Sequence, residues 1–80
     1  MLRYYVTLPE LGIDQGPIVV SLWLVEQGNR VEAGKPVLEV LAGAATVDLP
    51  APADGVLVET LVGEDEPLRV GQHLAVIESL

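Results

Sequence analysis

The segment VLEVLAGAATVDLP, residues 37–50, contains the pattern that decides the fold. Apolar and polar residues alternate on both sides of a turn of small residues, Ala42–Ala45, which is typical of two half-buried strands joined as a hairpin. Gly43 supplies the conformational freedom that a tight hairpin turn requires. No ionisable side chain lies between Glu39 and Asp48. The segment therefore predicts a β-hairpin whose tip consists of small, neutral residues.

Short strands are also predicted along the rest of the chain, because Gly and Pro interrupt it every several residues. No segment keeps an apolar period of 3.6 residues between plausible caps, so helix is not expected. The core must consist of Val, Leu, Ile and Ala, since the chain has no Phe and no Cys, and such residues suit thin sheets packed face to face. The sequence predicts an all-β fold of about eight strands in one domain, residues 1–80. The strands and bridges that can be given bounds are Tyr4–Leu8, Ile18–Val25, Val31, Val37–Leu41, Thr46–Leu49, Val56–Val62 and Leu74–Glu78.

A weak internal repeat indicates that the fold has two similar halves. A shift of 37 positions superposes apolar residues on apolar residues and Gly34 on Gly71, whereas surface residues do not match. The other matching positions are Leu24-Val25 on Leu61-Val62, Val31 on Leu68, Val37 on Leu74 and Val40 on Ile77. Two copies are too few for a solenoid, so we expect two halves related by a pseudo-twofold axis, forming two small antiparallel sheets.

Composition excludes several classes of function. The net charge is −8, and the four basic residues are scattered singly, so nucleic-acid binding is not expected. The longest apolar stretch, Ile18–Val25, is far shorter than the roughly 20 residues of a membrane helix. The first ten residues lack the apolar core of a signal peptide. We therefore expect a soluble cytoplasmic domain, and the high charge on a small body favours a monomer.

The order of segments resembles the lipoyl domain of 2-oxo acid dehydrogenase acyltransferases, and more broadly the biotinyl/lipoyl carrier family, over nearly the whole chain. The segments that carry the resemblance are Leu8–Gly12, Gln15–Val25, Glu26–Val40, Ala45–Gly55 and Pro67–Glu78. The resemblance implies a flattened barrel, or barrel-sandwich hybrid, of two four-stranded antiparallel sheets with quasi-twofold symmetry. It also implies protein partners of the 2-oxo acid dehydrogenase or biotin-dependent carboxylase type.

The attachment motif of that family departs from its pattern in this chain. The motif is an acid-lysine-alanine or Met-Lys-Met triplet at the hairpin tip, and here Gly43, Ala44 and Ala45 stand in its place. Ala44 has no amine with which to form the amide bond to the cofactor. The sequence thus predicts a vestigial attachment turn and no attached lipoate or biotin. The function expected is that of a non-acylated lipoyl-like domain acting as a protein-interaction or structural module.

Two alternatives remain open from the sequence. One alternative is a working lipoyl or biotinyl carrier that is modified at Lys35, the only lysine of the chain, or that is a variant of a swinging-arm carrier. The chain also resembles the lipoyl-like domains of periplasmic membrane-fusion proteins, which lack the lysine. Those domains usually carry a long helical hairpin at the tip, which the short Ala42–Ala45 turn argues against.

The remaining polar side chains indicate neither catalysis nor metal binding. His73 is the only imidazole, and with no Cys and no nucleophile motif it cannot complete a familiar triad or zinc site. The acidic run Glu64–Glu66 is typical of a solvated turn rather than of converging metal ligands. Trp23 is interpreted as a packing residue and His73 as an exposed residue at the start of a strand. We expect no catalytic residue, no metal site and no enzymatic activity.

Overall fold

The computed structural model of the chain describes residues 1–12 and 16–79, and these contain eight β-strands and no helix. The strands are β1 Arg3–Thr7, β2 Ile18–Trp23, β3 Arg30–Val31, β4 Pro36–Ala42, β5 Ala45–Pro50, β6 Gly55–Thr60, β7 Pro67–Leu68 and β8 His73–Glu78. The all-β prediction is therefore confirmed. Within these ranges, no helix is long and apolar enough to cross a membrane.

The strands form two four-stranded sheets in which every neighbouring pair is antiparallel. Sheet A has the order β1-β8-β6-β3, and sheet B has the order β5-β4-β2-β7. A single parallel bridge, Ala33 with Ala51, lies outside the strands of the described part of the chain. This is the flattened barrel-sandwich of two antiparallel sheets that the sequence predicts.

The internal repeat of the sequence corresponds to two halves with equivalent strands and equivalent backbone hydrogen bonds. A shift of 37 residues carries β2, β3 and β4 onto β6, β7 and β8. The Leu24 amide donates to the Val37 carbonyl at 2.9 Å, and the Leu61 amide donates to the Leu74 carbonyl at the same distance. Both central strands also carry a bulge at the equivalent place, after Val20 in β2 and after Leu57 in β6. The two halves follow the same backbone path.

The fourth strand of each half comes from a different part of the chain. β1 pairs with β8 as β5 pairs with β4, so β1 is the quasi-equivalent of β5. The Ala51 amide donates to the Lys35 carbonyl at 2.9 Å, and the Leu8 amide donates to the Gln72 carbonyl at 3.0 Å. This match runs from Leu8 to Ala51, an offset of 43 residues rather than 37. Because the offset differs, the repeat visible in the sequence does not include these strands.

The core lies between the sheets and consists of aliphatic side chains from both. Burying one such side chain completely stabilises the fold by roughly 1.5–3 kcal/mol. Trp23 packs against this cluster, and its indole Nε1–H donates to the Val62 carbonyl at 3.0 Å, as expected for a packing residue. The buried residues of the cluster are Val6, Leu8, Val20, Val31, Val37, Leu38, Val40, Leu49, Ala51, Leu57, Val62, Leu68, Leu74, Ala75 and Ile77.

Two predicted strands are too long at their ends. The sequence predicts strands to Val25 and Val62, but β2 ends at Trp23 and β6 ends at Thr60. Val62 is buried and Val25 packs against the core although neither belongs to a sheet. The apolar pattern therefore continues after the chain has left the strand. The predicted loop at residues 11–16 lies partly outside the described residues.

Candidate functional site

The β4–β5 hairpin is the site that the sequence singles out, and its turn is shorter than predicted. Ala42 pairs with Ala45, so only Gly43 and Ala44 form the loop. Gly43 has a φ of 63°, whereas Ala44 does not lie in the left-handed region. A two-residue turn with positive φ only at its first residue is of type II′, which matches the right-handed twist of the flanking strands and favours Gly at that position. Gly43 is thus required by the turn geometry.

The tip is exposed and uncharged. Gly43, Ala44 and Ala45 are all exposed, whereas Ala42 is buried. Counted from the tip, the first ionisable side chain is Glu39 on β4 and Asp48 on β5. These two residues lie directly opposite each other in the sheet. Sequence reasoning missed this opposition. The signal was present in the sequence, because Glu39 and Asp48 are equally distant from the turn and a hairpin centred on Gly43 and Ala44 therefore pairs them.

Lipoate and biotin are attached through a lysine amide, and the hairpin tip does not fit such a group. The Ala44 methyl group offers no nitrogen. Lys35 carries the only lysine amine of the chain, and it lies at the other end of β4, about 25 Å along the strand from Ala44. Its position is exposed, its amide donates to the Glu32 carbonyl at 3.0 Å, and its carbonyl accepts from Ala51. The chain therefore offers an accessible amine on a fixed turn, but not at the tip.

The other side chains considered from the sequence do not converge on the hairpin. His73 is exposed at the start of β8, as predicted, and its ring stacks on Tyr5 with centroids 4.1 Å apart. Glu64–Glu66 form an exposed turn between β6 and β7. Within residues 1–12 and 16–79, no three carboxylate or imidazole side chains are placed to hold a metal ion.

Two open depressions of the described surface also lie away from the tip. The larger one, about 560 Å³, is bordered by residues 30–33 and by Asp54 and Gly55. Its walls are held together by the Ala33 amide, which donates to Asp54 Oδ1 at 2.8 Å. The smaller one, about 280 Å³, lies between β1 and β5, and its lining includes Tyr5, Pro50 and Pro52. Neither depression gathers the residues of a recognisable catalytic site.

Comparison with known proteins places this geometry in a family. Residues 5–77 match the biotin/lipoyl family, whose description reads "Biotin-requiring enzyme". The chain belongs to the biotin/lipoyl family. With its two sheets and quasi-twofold, it is a lipoyl domain of the type found in 2-oxo acid dehydrogenase acyltransferases, as the resemblance implies.

Individual relatives are acyltransferase components. The dihydrolipoyllysine-residue acetyltransferase component of the pyruvate dehydrogenase complex of Corynebacterium glutamicum is 33% identical over 76 residues, which are 95% of this chain and 11% of that protein. The lipoamide acyltransferase component of the branched-chain alpha-keto acid dehydrogenase complex of Bacillus subtilis is 30% identical over 91% of this chain and 17% of its own length. The acetyltransferase component of the acetoin cleaving system of Pseudomonas putida is 34% identical over 89% and 19%. The chain thus spans between about a tenth and a fifth of these relatives.

Family membership corrects one prediction. The sequence predicts no attached lipoate or biotin, and this is wrong for a chain of this family, whose description names biotin and whose relatives are named for a dihydrolipoyllysine residue. The prediction rested on Gly43 and Ala44 at the hairpin tip and on the location of Lys35 in a different turn. Amide formation needs an accessible primary amine, which position 44 lacks but Lys35 has.

Other expectations remain predictions. These are the vestigial role of Gly43, Ala44 and Ala45, the single domain over residues 1–80, the lack of enzymatic activity, the monomeric state and the cytoplasmic location. A catalytic or metal-binding role for any described residue is likewise not assigned.

Proposed function

We propose that this chain is a lipoyl-type interaction module of a 2-oxo acid dehydrogenase assembly and that it binds another component of that assembly through its protein surface. The match of residues 5–77 to the family supports a lipoyl domain. The relatives are named as components of 2-oxo acid dehydrogenase complexes, which supports an assembly of that type. The observation that carries the proposal is the hairpin itself. Its strands, register and two-residue turn are complete, while Ala44 at its tip offers no amine. Binding through the protein surface does not require a cofactor attached at the tip.

Affinity capture from the native cell tests this proposal. The tagged chain and its Lys35→Arg variant are used as parallel baits, and the captured proteins are quantified by mass spectrometry. We expect a dehydrogenase or acyltransferase component among them, recovered equally with both baits, because Arg keeps the charge but cannot form the amide. Capture of a biotin-dependent carboxylase instead, or loss of capture with Lys35→Arg, would overturn the proposal.

A second candidate function is a carrier that is modified at Lys35. The observation in its favour is that this single lysine follows Gly34, whose φ of 84° places Lys35 on an exposed tight turn. The turn is held on both sides by backbone hydrogen bonds, so the side chain projects from a defined position. It shares with the hairpin tip a positive-φ glycine directly before the exposed residue.

Enzymatic modification separates the two candidates. The chain is incubated with a lipoate ligase or a biotin ligase and the matching cofactor, and intact mass and peptide mapping locate any added group. The carrier at Lys35 predicts a ligase-dependent mass gain on the peptide that contains Lys35, with none in Lys35→Arg. An unchanged mass in the wild-type chain removes this second candidate.

A further inference from the structure

The outward face of sheet B carries apolar side chains and a carboxylate pair in two cross-strand rows. One row crosses β2, β4 and β5 as Leu22, Glu39 and Asp48, and the next row crosses them as Val19, Leu41 and Thr46. We call these six residues the sheet B face. Leu22 is 48% exposed and Leu41 is 36% exposed. The second row is the last outward row before the Gly43–Ala44 tip, so the face is continuous with the hairpin.

The carboxylates of this face are not balanced by cations within their own sheet. Glu39 and Asp48 are direct cross-strand partners, a position in which like charges destabilise a sheet. The four strands of sheet B contain no Lys, Arg or His. The polar contact of Glu39 is with Ser21, whose hydroxyl donates to Oε2 at 2.8 Å. This bond fixes the carboxylate without neutralising it.

Sheet A provides an internal control for what the fold itself needs at these positions. The residues quasi-equivalent to Glu39 and Asp48 are Val76 and Tyr5, also direct partners, and Val76 is only 3% exposed. The backbone therefore accepts an apolar pair at this place. The acid on the outward face of β8, Glu78, is paired with Arg3, with 3.2 Å between Nε and Oε2. Sheet A therefore buries Val76 and pairs Glu78 with Arg3, and its exposed Glu59 lies opposite Val76. Sheet B, by contrast, sets two acids directly opposite each other.

We infer that the sheet B face is the docking surface for a partner protein segment that presents an arginine flanked by apolar side chains. An arginine has a planar fork of donors that can bridge two adjacent carboxylates, whereas a lysine is a point charge. Apolar neighbours of that arginine would cover Leu22 and Leu41. The inference rests on the proposed function and names the surface and the partner chemistry for it.

The dimensions of the face indicate a transient complex. Three strands spaced about 4.8 Å apart and about six residues long offer on the order of 300 Å². Stable interfaces bury about 800 Å² per partner. We therefore expect weak binding that decreases as salt is raised, because exposed charges are screened.

A peptide titration followed by NMR tests the inference. The probe is a ten-residue peptide of alternating Leu and Arg, and its control has citrulline in place of Arg. We expect the largest amide shifts of the 15N-labelled chain at the sheet B face. The double variant Glu39→Gln with Asp48→Asn should weaken binding about tenfold. The matched control, Glu32→Gln with Glu64→Gln, also removes two charges at exposed positions and should change binding less than twofold.

Leu22→Ser tests the apolar half of the surface independently and should weaken binding about threefold. Four results would each overturn the inference. The citrulline peptide could bind as well as the arginine peptide, or both double variants could weaken binding equally. The amide shifts could instead centre on Glu64–Glu66, or the arginine peptide could fail to bind. Native capture of a dehydrogenase component together with any of these results would leave the proposed function standing. Failure of capture with intact peptide binding would instead overturn the proposed function alone.

Discussion

Asp65 occupies the backbone position in the second half of the chain that Gly28 occupies in the first. Both have left-handed backbones, with φ of 66° and 98°, and Asp65 is the one non-glycine residue with positive φ in the described part of the chain. The Gly28 amide donates to the Leu57 carbonyl at 2.7 Å, and the Asp65 amide donates to the Val20 carbonyl at 2.9 Å. Each turn therefore forms a hydrogen bond to the central strand of the other half. The strained backbone of Asp65 is held by the same type of hydrogen bond that Gly28 makes in the first half.

Replacing Asp65 with Gly should stabilise the domain. Gly adopts positive φ without a Cβ penalty, and the larger entropy of Gly in the unfolded chain offsets part of the gain, so we expect a few tenths to about 1 kcal/mol. Urea unfolding followed by Trp23 fluorescence measures the free energy. Asp65→Ala removes the same charge but keeps a Cβ, and it should be destabilising. The same sign for both variants would show that charge, not backbone strain, decides.

Replacing Gly55 with Ala should destabilise the domain severely. A Cβ at Gly55 would collide with the backbone carbonyl of Glu78 and press on the Ile77 side chain. Since the obstacle is backbone in the paired strand β8, relief requires the sheet to separate, and we expect a loss of about 2–3 kcal/mol. Gly63→Ala is the matched control, because nothing lies within 4 Å of its added Cβ and its φ is not positive. Thermal unfolding that gives both variants equal midpoints would contradict this account.

Replacing Ala44 with Lys should make the hairpin tip a substrate for lipoate ligase. Ala44 is exposed at the second position of the turn, where an L residue is unstrained, so the lysine should project freely. In the Lys35→Arg background the new residue is the only lysine, and intact mass with peptide mapping reports modification at position 44. A folded but unmodified variant would show that the surface around the tip no longer suits the ligase.

Adding Gly43→Asp to Ala44→Lys restores the acid of the family motif but should lower stability. Gly43 has a φ of 63° in a type II′ turn, and an aspartate there should cost about 1 kcal/mol or shift the turn type. Chemical unfolding of the single and double variants measures this difference. Equal stability would mean that the tip changes conformation at no cost.

Neutralising Asp48 should stabilise the domain at low salt, by about 0.5 kcal/mol, because it relieves the direct opposition to Glu39. Glu78→Gln tests the other sheet, where the loss of the Arg3 partner should destabilise by a few tenths of a kcal/mol. Both effects should shrink in 1 M salt. Urea unfolding at low and high salt is the measurement, and equal signs for Asp48→Asn and Glu78→Gln would contradict the charge assignment.

Sequence patterns predicted the fold where they repeat along the chain and failed where the structure is made by distant segments. The shift that superposes Val37 on Leu74 also superposes strands β2 to β4 on β6 to β8. β1 takes the place of a second copy of β5. A search for repeats with a single offset cannot detect this match, because its offset is 43 residues rather than 37. The strain at Asp65 could have been predicted, because the same shift places it on Gly28.

The candidate site was predicted in position but not in charge arrangement. Alternation placed the hairpin and its neutral tip correctly, since period-2 patterns report which face is buried. It was not carried on to the pairing of Glu39 with Asp48, although both residues are equally distant from the centre of the turn, so that a loop of either two or four residues places them opposite each other. The cofactor prediction was wrong because it took the residues at positions 43 and 44, together with the location of Lys35, as the absence of the family's chemistry.

The central claim is that the chain binds a 2-oxo acid dehydrogenase component through its protein surface. Biolayer interferometry with the purified component identified by native capture tests it most directly. We predict measurable binding whose Kd differs by less than twofold between the wild-type chain and Lys35→Arg. Absence of binding, or a loss of more than tenfold with Lys35→Arg, would contradict the claim.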